Sequence, residues 1–142
     1  MAHRVGIIGL GTVGSRFVEQ FNLHNAFDLV AAWDLDPNAC SSHKNSVKIA
    51  STAAEVIEES DLVYVAVPPI HHETYVRDCL ANNTAIFCEK PLGVDLQTSR
   101  QLAAEVNQSG LPAGVNFVFS SAPSAAELQQ RLSNNLSPSR RL

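Results

Sequence analysis

The chain has 142 residues, enough for one ordinary domain and its core but not comfortably for two. With 45% hydrophobic and 17% charged residues it is not a disordered chain, and a net charge of −4 gives no reason to expect nucleic acid as a partner. No stretch is long and apolar enough to span a membrane, and the run 5–10 is too short and too glycine-rich for a secretory signal.

Taken in order, short apolar runs alternate with helical patterns, the signature of parallel strands joined by crossover helices. A first strand covers 4–8 and ends in a glycine-rich turn; Val13, Phe17, Val18 and Phe21 then recur at helical spacing over 13–23. A second strand covers 27–33 and ends at Asp34, and a short third strand is expected at 47–50. Thr52 and Glu55 match a capping box that opens a helix to about Glu59. The continuous apolar run 62–67 suits a strand covered on both faces, and Pro68-Pro69 stops it. A helix over 70–81 closes on Asn83 as a left-handed cap. The strand 85–88 follows, then a helix capped by Asp95 and ended by Gly110 and Pro112. A sixth strand is expected at 115–119, a last helix at 124–133 with Leu128 and Leu132 on one side, and a frayed tail from Ser137. The fold class is therefore α/β, a doubly wound parallel sheet. Cys40, Cys79 and Cys88 are odd in number and lack CxxC spacing, so they read as small buried hydrophobes with reduced thiols in a cytoplasmic protein.

Gly9-Leu10-Gly11-Thr12-Val13-Gly14 is a GxGxxG. The motif alone is weak, but here it follows a strand, opens a helix and has an acid twenty residues past its last glycine. In that setting Gly9 allows the tight turn, Gly11 leaves room for a pyrophosphate, and Gly14 lets the helix approach the strand. The amides of Thr12 and Val13 then offer the positive end of the helix to phosphate. Asp34 is placed to accept bonds from the adenine-ribose hydroxyls and to repel a 2′-phosphate, which selects NAD over NADP. Asp36 reads as a solvated loop acid. A metal-binding reading of Asp34 and Asp36 has no partner ligands nearby, and His71 and His72 point about 100° apart on a helix and cannot chelate together. His71 reads as an exposed residue at a helix start.

From Val67 to Gly93 the sequence VPPIHHETYVRDCLANNTAIFCEKPLG resembles the signature of the glucose–fructose oxidoreductase, inositol dehydrogenase and rhizopine-catabolism (Gfo/Idh/MocA) oxidoreductases. His72 takes the histidine position and Glu89-Lys90-Pro91 the closing triplet. With the glycine turn and Asp34, the resemblance extends over residues 4 to about 118. It implies that Gly9, Gly11, Thr12, Val13 and Gly14 hold the pyrophosphate of NAD and that Asp34 holds the adenine ribose. It further implies that Val67, Pro68 and His72 border the nicotinamide side and that Glu89 orients the nicotinamide ribose. Lys90 is implied as the catalytic residue, stabilising alkoxide charge or relaying a proton.

The substrate implied is a sugar- or polyol-like small molecule of the full-length relatives, with no nucleic-acid or membrane partner and with oligomerisation left open. Residues 1–122 are expected to form the dinucleotide-binding domain, and 123–142 a linking helix and tail toward a substrate domain that has no counterpart here. Phe119 and Ser120 depart from the aromatic–arginine pair common in the family. Hydride transfer between NAD and a hydroxyl-bearing carbon, inactive in this chain alone, is one reading; a non-catalytic module that senses NAD(H) or a sugar is the other.

Overall fold

The computed structural model describes residues 2–135; the tail expected from Ser137 lies outside them. Five strands, β1 (His3–Ile8), β2 (Phe27–Trp33), β3 (Leu62–Val65), β4 (Ala85–Glu89) and β5 (Ala113–Asn116), form one parallel sheet in the order β2-β1-β3-β4-β5. The helices are α1 (Thr12–Leu23), α2 (Pro37–His43), α3 (Ala53–Glu59), α4 (His72–Ala81), α5 (Leu96–Ser109) and α6 (Pro123–Asn135). The chain steps outward from β1 to β2 and then returns to the other flank of β1 as β3. That reversal opens a crevice at the carboxyl ends of β1 and β3, where such sheets bind ligands.

Strand alternation explains the two cores. Val5 and Ile7 of β1, Tyr64 of β3 and Phe87 of β4 pack with Phe17, Val18 and Phe21 of α1 and with Ala39 and Cys40 of α2. Ile8, Val63, Val65, Ile86 and Cys88 point the other way, against Val56 and Ile57 of α3, Val76 and Cys79 of α4, and Leu102 of α5. With helices on both faces, the central strand β3 meets apolar surface on either side, which is why 62–65 reads LVYV without alternation.

The expected punctuation is present. Thr52 caps α3 by accepting from the Glu55 amide at 3.2 Å, and the Glu55 carboxylate takes the Ser51 amide at 2.8 Å. Asp95 caps α5 through the Thr98 amide at 2.8 Å, while Asn83 and Gly110 adopt left-handed backbone at φ 56° and 70°.

Five expectations needed correction. The third strand at 47–50 shrinks to one bridge, Ile49 beside Ala32, held by Ala32 N–H to Lys48 O and Ala50 N–H to Ala32 O, each 2.9 Å. The run 62–67 stays a strand only to Val65. The segment before α4 is a 3-10 turn over Pro69–His71, because consecutive prolines remove two amides from regular pairing. The last strand lies earlier, at Ala113–Asn116, where pairing with β4 sets its register, and Val118–Ser121 forms a 3-10 turn. Finally, Asp36 is no idle loop acid: it caps α2 by accepting from the Asn38 amide at 2.9 Å, with Pro37 in the first helical position.

Candidate functional site

The glycine turn joins β1 to α1 at the mouth of the crevice. Gly9 has φ +102°, and a Cβ there would stand 2.6 Å from the carbonyl carbon of Ala66. A Cβ on Gly14 would stand 1.8 Å from the Gly9 carbonyl oxygen, so α1 sits directly on the turn. Gly11 is different: it has ordinary φ of −67°, and a Cβ would meet nothing within 4 Å. The space over Gly11 is open. No side chain caps α1 at this end, and Thr12 and Val13 are exposed. Their amides are the kind of orphan donors that an anion satisfies.

The turn is held rigid from three sides. Gly9 N–H donates to Trp33 O at 2.8 Å. Leu10 N–H donates to Asp34 Oδ2 at 2.6 Å, and Leu10 O accepts from Ser15 Oγ at 2.9 Å. With its proton on Leu10 O, the Ser15 oxygen accepts from His43 Nε2 at 2.9 Å, which fastens α2 to the first turn of α1. Asp34 Oδ1 accepts from the Asp36 amide at 2.8 Å. Each carboxylate oxygen therefore keeps a free lone pair, enough for two vicinal hydroxyls.

Asp34 lines a groove of about 480 Å³ with Trp33, Leu35, Asp36, Val67, Pro68, His71 and Tyr75. The groove is mostly apolar apart from the Asp34 and Asp36 carboxylates and the His71 ring, the mix of apolar walls and few polar groups that suits an adenosine. Val67 and Pro68, expected beside the nicotinamide, share this groove with Asp34. The Tyr75 hydroxyl is held above its ordinary pKa by burial and by the nearby Asp78 and Asp34 charges. Leu35, His71 and Tyr75 were missed by the sequence reading. His71 was legible only as an exposed helix-start residue, and nothing in the spacing marks Leu35 or Tyr75.

His72 is fully buried and lines no part of that groove; its nitrogens lie against the carbonyls of Val67 and Pro91. Glu89, at the end of β4, is buried as well. Its Oε1 accepts from Tyr64 Oη at 2.5 Å and from Asn116 Nδ2 at 2.6 Å, and its Oε2 accepts from the Lys90 amide at 3.2 Å. Burial, then the Glu89 carboxylate, drives the Tyr64 pKa upward, so the phenol stays a donor. Sequence reasoning missed both partners: Tyr64 looks like one more apolar strand residue, and Asn116 like a strand end.

Lys90, one residue on, is exposed, and the Lys90–Pro91 bond is cis. It borders a second depression of about 230 Å³ with Asn116, Phe117, Val118, Phe119 and Ser120. The structure thus separates the expected site residues into two basins: the glycine turn and Asp34 with the adenosine-sized groove, and Glu89 and Lys90 with the apolar shelf. Buried His72 touches the backbone of both sides.

Among the described residues, no three His, Cys, Asp or Glu side chains are grouped to hold a metal ion, and no helix is long and apolar enough to cross a membrane. Cys79 and Cys88 are buried and their thiols are pushed up to about 12 by that burial.

A family model for Gfo/Idh/MocA proteins, described as an oxidoreductase family with an NAD-binding Rossmann fold, matches residues 3–117. An inositol 2-dehydrogenase of Cereibacter sphaeroides is 31% identical over 107 residues, 72% of this chain and 32% of its own length. A trans-1,2-dihydrobenzene-1,2-diol dehydrogenase of Sus scrofa is 30% identical over 118 residues, 78% of this chain and 35% of its own length. The chain thus spans about a third of the length of these curated relatives. The crystal structure of a Lactobacillus casei scyllo-inositol dehydrogenase with bound NAD(H) and scyllo-inositol shares the fold at a TM-score of 0.83 and 19% identity, over 94% of this chain and 42% of that one.

Proposed function

Because the chain belongs to the Gfo/Idh/MocA oxidoreductase family with an NAD-binding Rossmann fold, we propose that it binds NAD(H) for hydride transfer to or from a hydroxyl-bearing carbon of a sugar- or polyol-like substrate. The observation that carries this reading is the meeting of Asp34, the open space above Gly11 and the uncapped start of α1 at one mouth. Gly9 and Gly14 fix the turn, and the Thr12 and Val13 amides hold the diphosphate. Asp34 takes the two adenine-ribose hydroxyls, while Leu35, Val67, Pro68 and Tyr75 enclose the base.

Bound NAD supplies the hydride acceptor. Glu89, kept in one orientation by Tyr64 and Asn116, accepts from the nicotinamide ribose. The Lys90 side chain stabilises negative charge developing on the substrate oxygen as an ammonium or, as the free amine, takes the proton that leaves it.

The relatives named above act on inositol and on a dihydrobenzenediol. The apolar shelf of Phe117, Val118 and Phe119 beside Lys90 favours a hydroxyl carried on a partly apolar body over a fully hydroxylated ring. The same shelf also favours a second reading, a module that senses NAD(H) without turnover, because Asn116 and Ser120 are the polar residues that line it beside Lys90 among the described residues.

Calorimetric titration of the chain with NAD, NADH and NADP tests the shared premise. Saturable NAD(H) binding tighter than NADP is expected, and its absence overturns both readings. Turnover of a polyol or diol panel then separates the enzyme from the sensor.

A further inference from the structure

His72 opens α4 and is 0% exposed. Its Nδ1 lies 2.9 Å from Pro91 O and its Nε2 2.8 Å from Val67 O. A carbonyl oxygen only accepts, so both contacts demand an N–H. A neutral imidazole has one. In that state the other nitrogen would aim its lone pair at a carbonyl oxygen, in a place no water reaches. Turning the ring over does not help, since ring carbons would then stand at 2.8–2.9 Å, well inside the roughly 3.3–3.6 Å of a C–H···O contact.

The two carbonyls belong to the two halves of the site. Val67 is a wall of the adenosine-sized groove, and Pro91 follows Lys90. One side chain therefore spans the gap between the ends of β3 and β4. Removing it takes away the ring that the Val67 and Pro91 carbonyls share and loosens the tie between the two segments.

The charged groups on the adjoining segments are Glu89 and Lys90 at the end of β4 and Glu73 in the first turn of α4. Glu73 is already paired with Arg77. The Glu89 carboxylate, two residues before Pro91, is the negative group on the segment that His72 ties down.

We infer that His72 carries a proton on both ring nitrogens and is a positioning residue, pinning the Lys90–Pro91 step to the groove wall. The positioning role rests on the reading of Lys90 as the reacting lysine; the double protonation does not. The test begins with the wild-type chain labelled with 15N-histidine at neutral pH. Two slowly exchanging ring N–H protons, with both nitrogens at imidazolium-type shifts, are the expected result for His72. One N–H and one pyridine-type nitrogen would overturn the inference.

The second measurement uses His72→Gln, with the fold checked by its melting curve. The backbone amide resonances of Lys90 and Leu92 should broaden or shift, and NADH affinity should fall roughly tenfold. Unchanged resonances and affinity in the folded variant would refute the positioning role. If the variant does not fold, the wild-type ring measurement still decides. If wild-type chain binds no NADH, the functional reading fails while the ring state and the Lys90 resonances still report on His72.

Discussion

Two glycines three residues apart should respond in opposite ways to an added side chain. At Gly11 the backbone is at φ −67° and ψ −166°, which any residue adopts, and a Cβ meets nothing within 4 Å. Gly11→Val should leave the fold alone, within about 0.5 kcal/mol or roughly 2 °C in melting temperature. Its methyl groups, however, occupy the approach to the turn that a diphosphate needs. NADH affinity should fall at least about a hundredfold, equivalent to roughly 2.7 kcal/mol. At Gly14 the position is reversed. The new Cβ would lie 1.8 Å from the Gly9 carbonyl oxygen, inside the 3.0 Å that real contacts respect, so α1 must retreat from the turn. Overpacking of this kind costs about 1–3 kcal/mol or more, and Gly14→Ala should lower the melting temperature by roughly 3–10 °C. Far-ultraviolet circular dichroism reads the melts and nicotinamide fluorescence reads the binding. A folded Gly11→Val that binds NADH within about threefold of wild type would refute the phosphate role of the open space. A Gly14→Ala variant melting with wild type would refute the close packing of helix on turn.

Asp34→Ala should weaken NAD by roughly ten- to a hundredfold and narrow the preference over NADP, since a bond to a charged acceptor contributes about 1.5–3 kcal/mol; equal NAD affinity in calorimetry contradicts the ribose role. Cys79 and Cys88, with thiols pushed up to about 12, should resist alkylation at pH 8 in the native chain while half-buried Cys40 reacts first. The same raised values mean that their contribution to stability is whole below the ordinary thiol pKa, about 8.5, and is lost as pH rises toward 12. Asp61 and Glu105 are held below the usual carboxylate range by hydrogen bonds from Arg4 and Arg77, and Asp95 by its bond from Thr98. Their contribution is present above that range and lost as pH falls through the lowered values, so denaturant midpoints should drop on acidification below about pH 4, and less so in Asp61→Asn. Turnover of polyols, inositols and aldoses by this chain should stay under about 0.1 s⁻¹, far below a typical enzyme. A faster rate abolished by Lys90→Ala would mean that a complete substrate site forms here.

The parts of the fold that local chemistry dictates were legible. The glycine turn, the caps at Thr52 and Asp95, the left-handed Asn83 and Gly110, and the uninterrupted apolar β3 follow from rules acting within a few residues. Helix α2 was hidden because Asn38, Ser41, Ser42 and His43 are poor helix formers, although Asp36-Pro37 carries a cap-and-first-turn signature that could have revealed it. The position of β5 was misread because Ala113 and Gly114 have little strand preference; pairing with β4 decides it. At the site, Asp34 and the glycines stood out by spacing. Tyr64, Asn116 and His71 did not, because their roles come from neighbours 25, 27 and several elements away, which no window of sequence contains.

The dwindling of the expected third strand to one bridge has a consequence for how this domain meets other chains. A sheet edge with a long row of unpaired amides and carbonyls invites a foreign strand to add to it. On the β2 flank the segment 47–50 occupies both hydrogen-bonding groups of Ala32 and then turns away. The exposed Lys48 ammonium stands there, paired with Glu55 and Glu59. The opposite flank is β5, only four residues long and preceded by Pro112, which has no amide to offer. On the β2 flank the bridge interrupts the row at Ala32, and on the β5 flank the row is four residues long. A sheet whose interior is almost wholly apolar thus has one rim interrupted and the other cut short, which lessens the length over which a foreign strand could add.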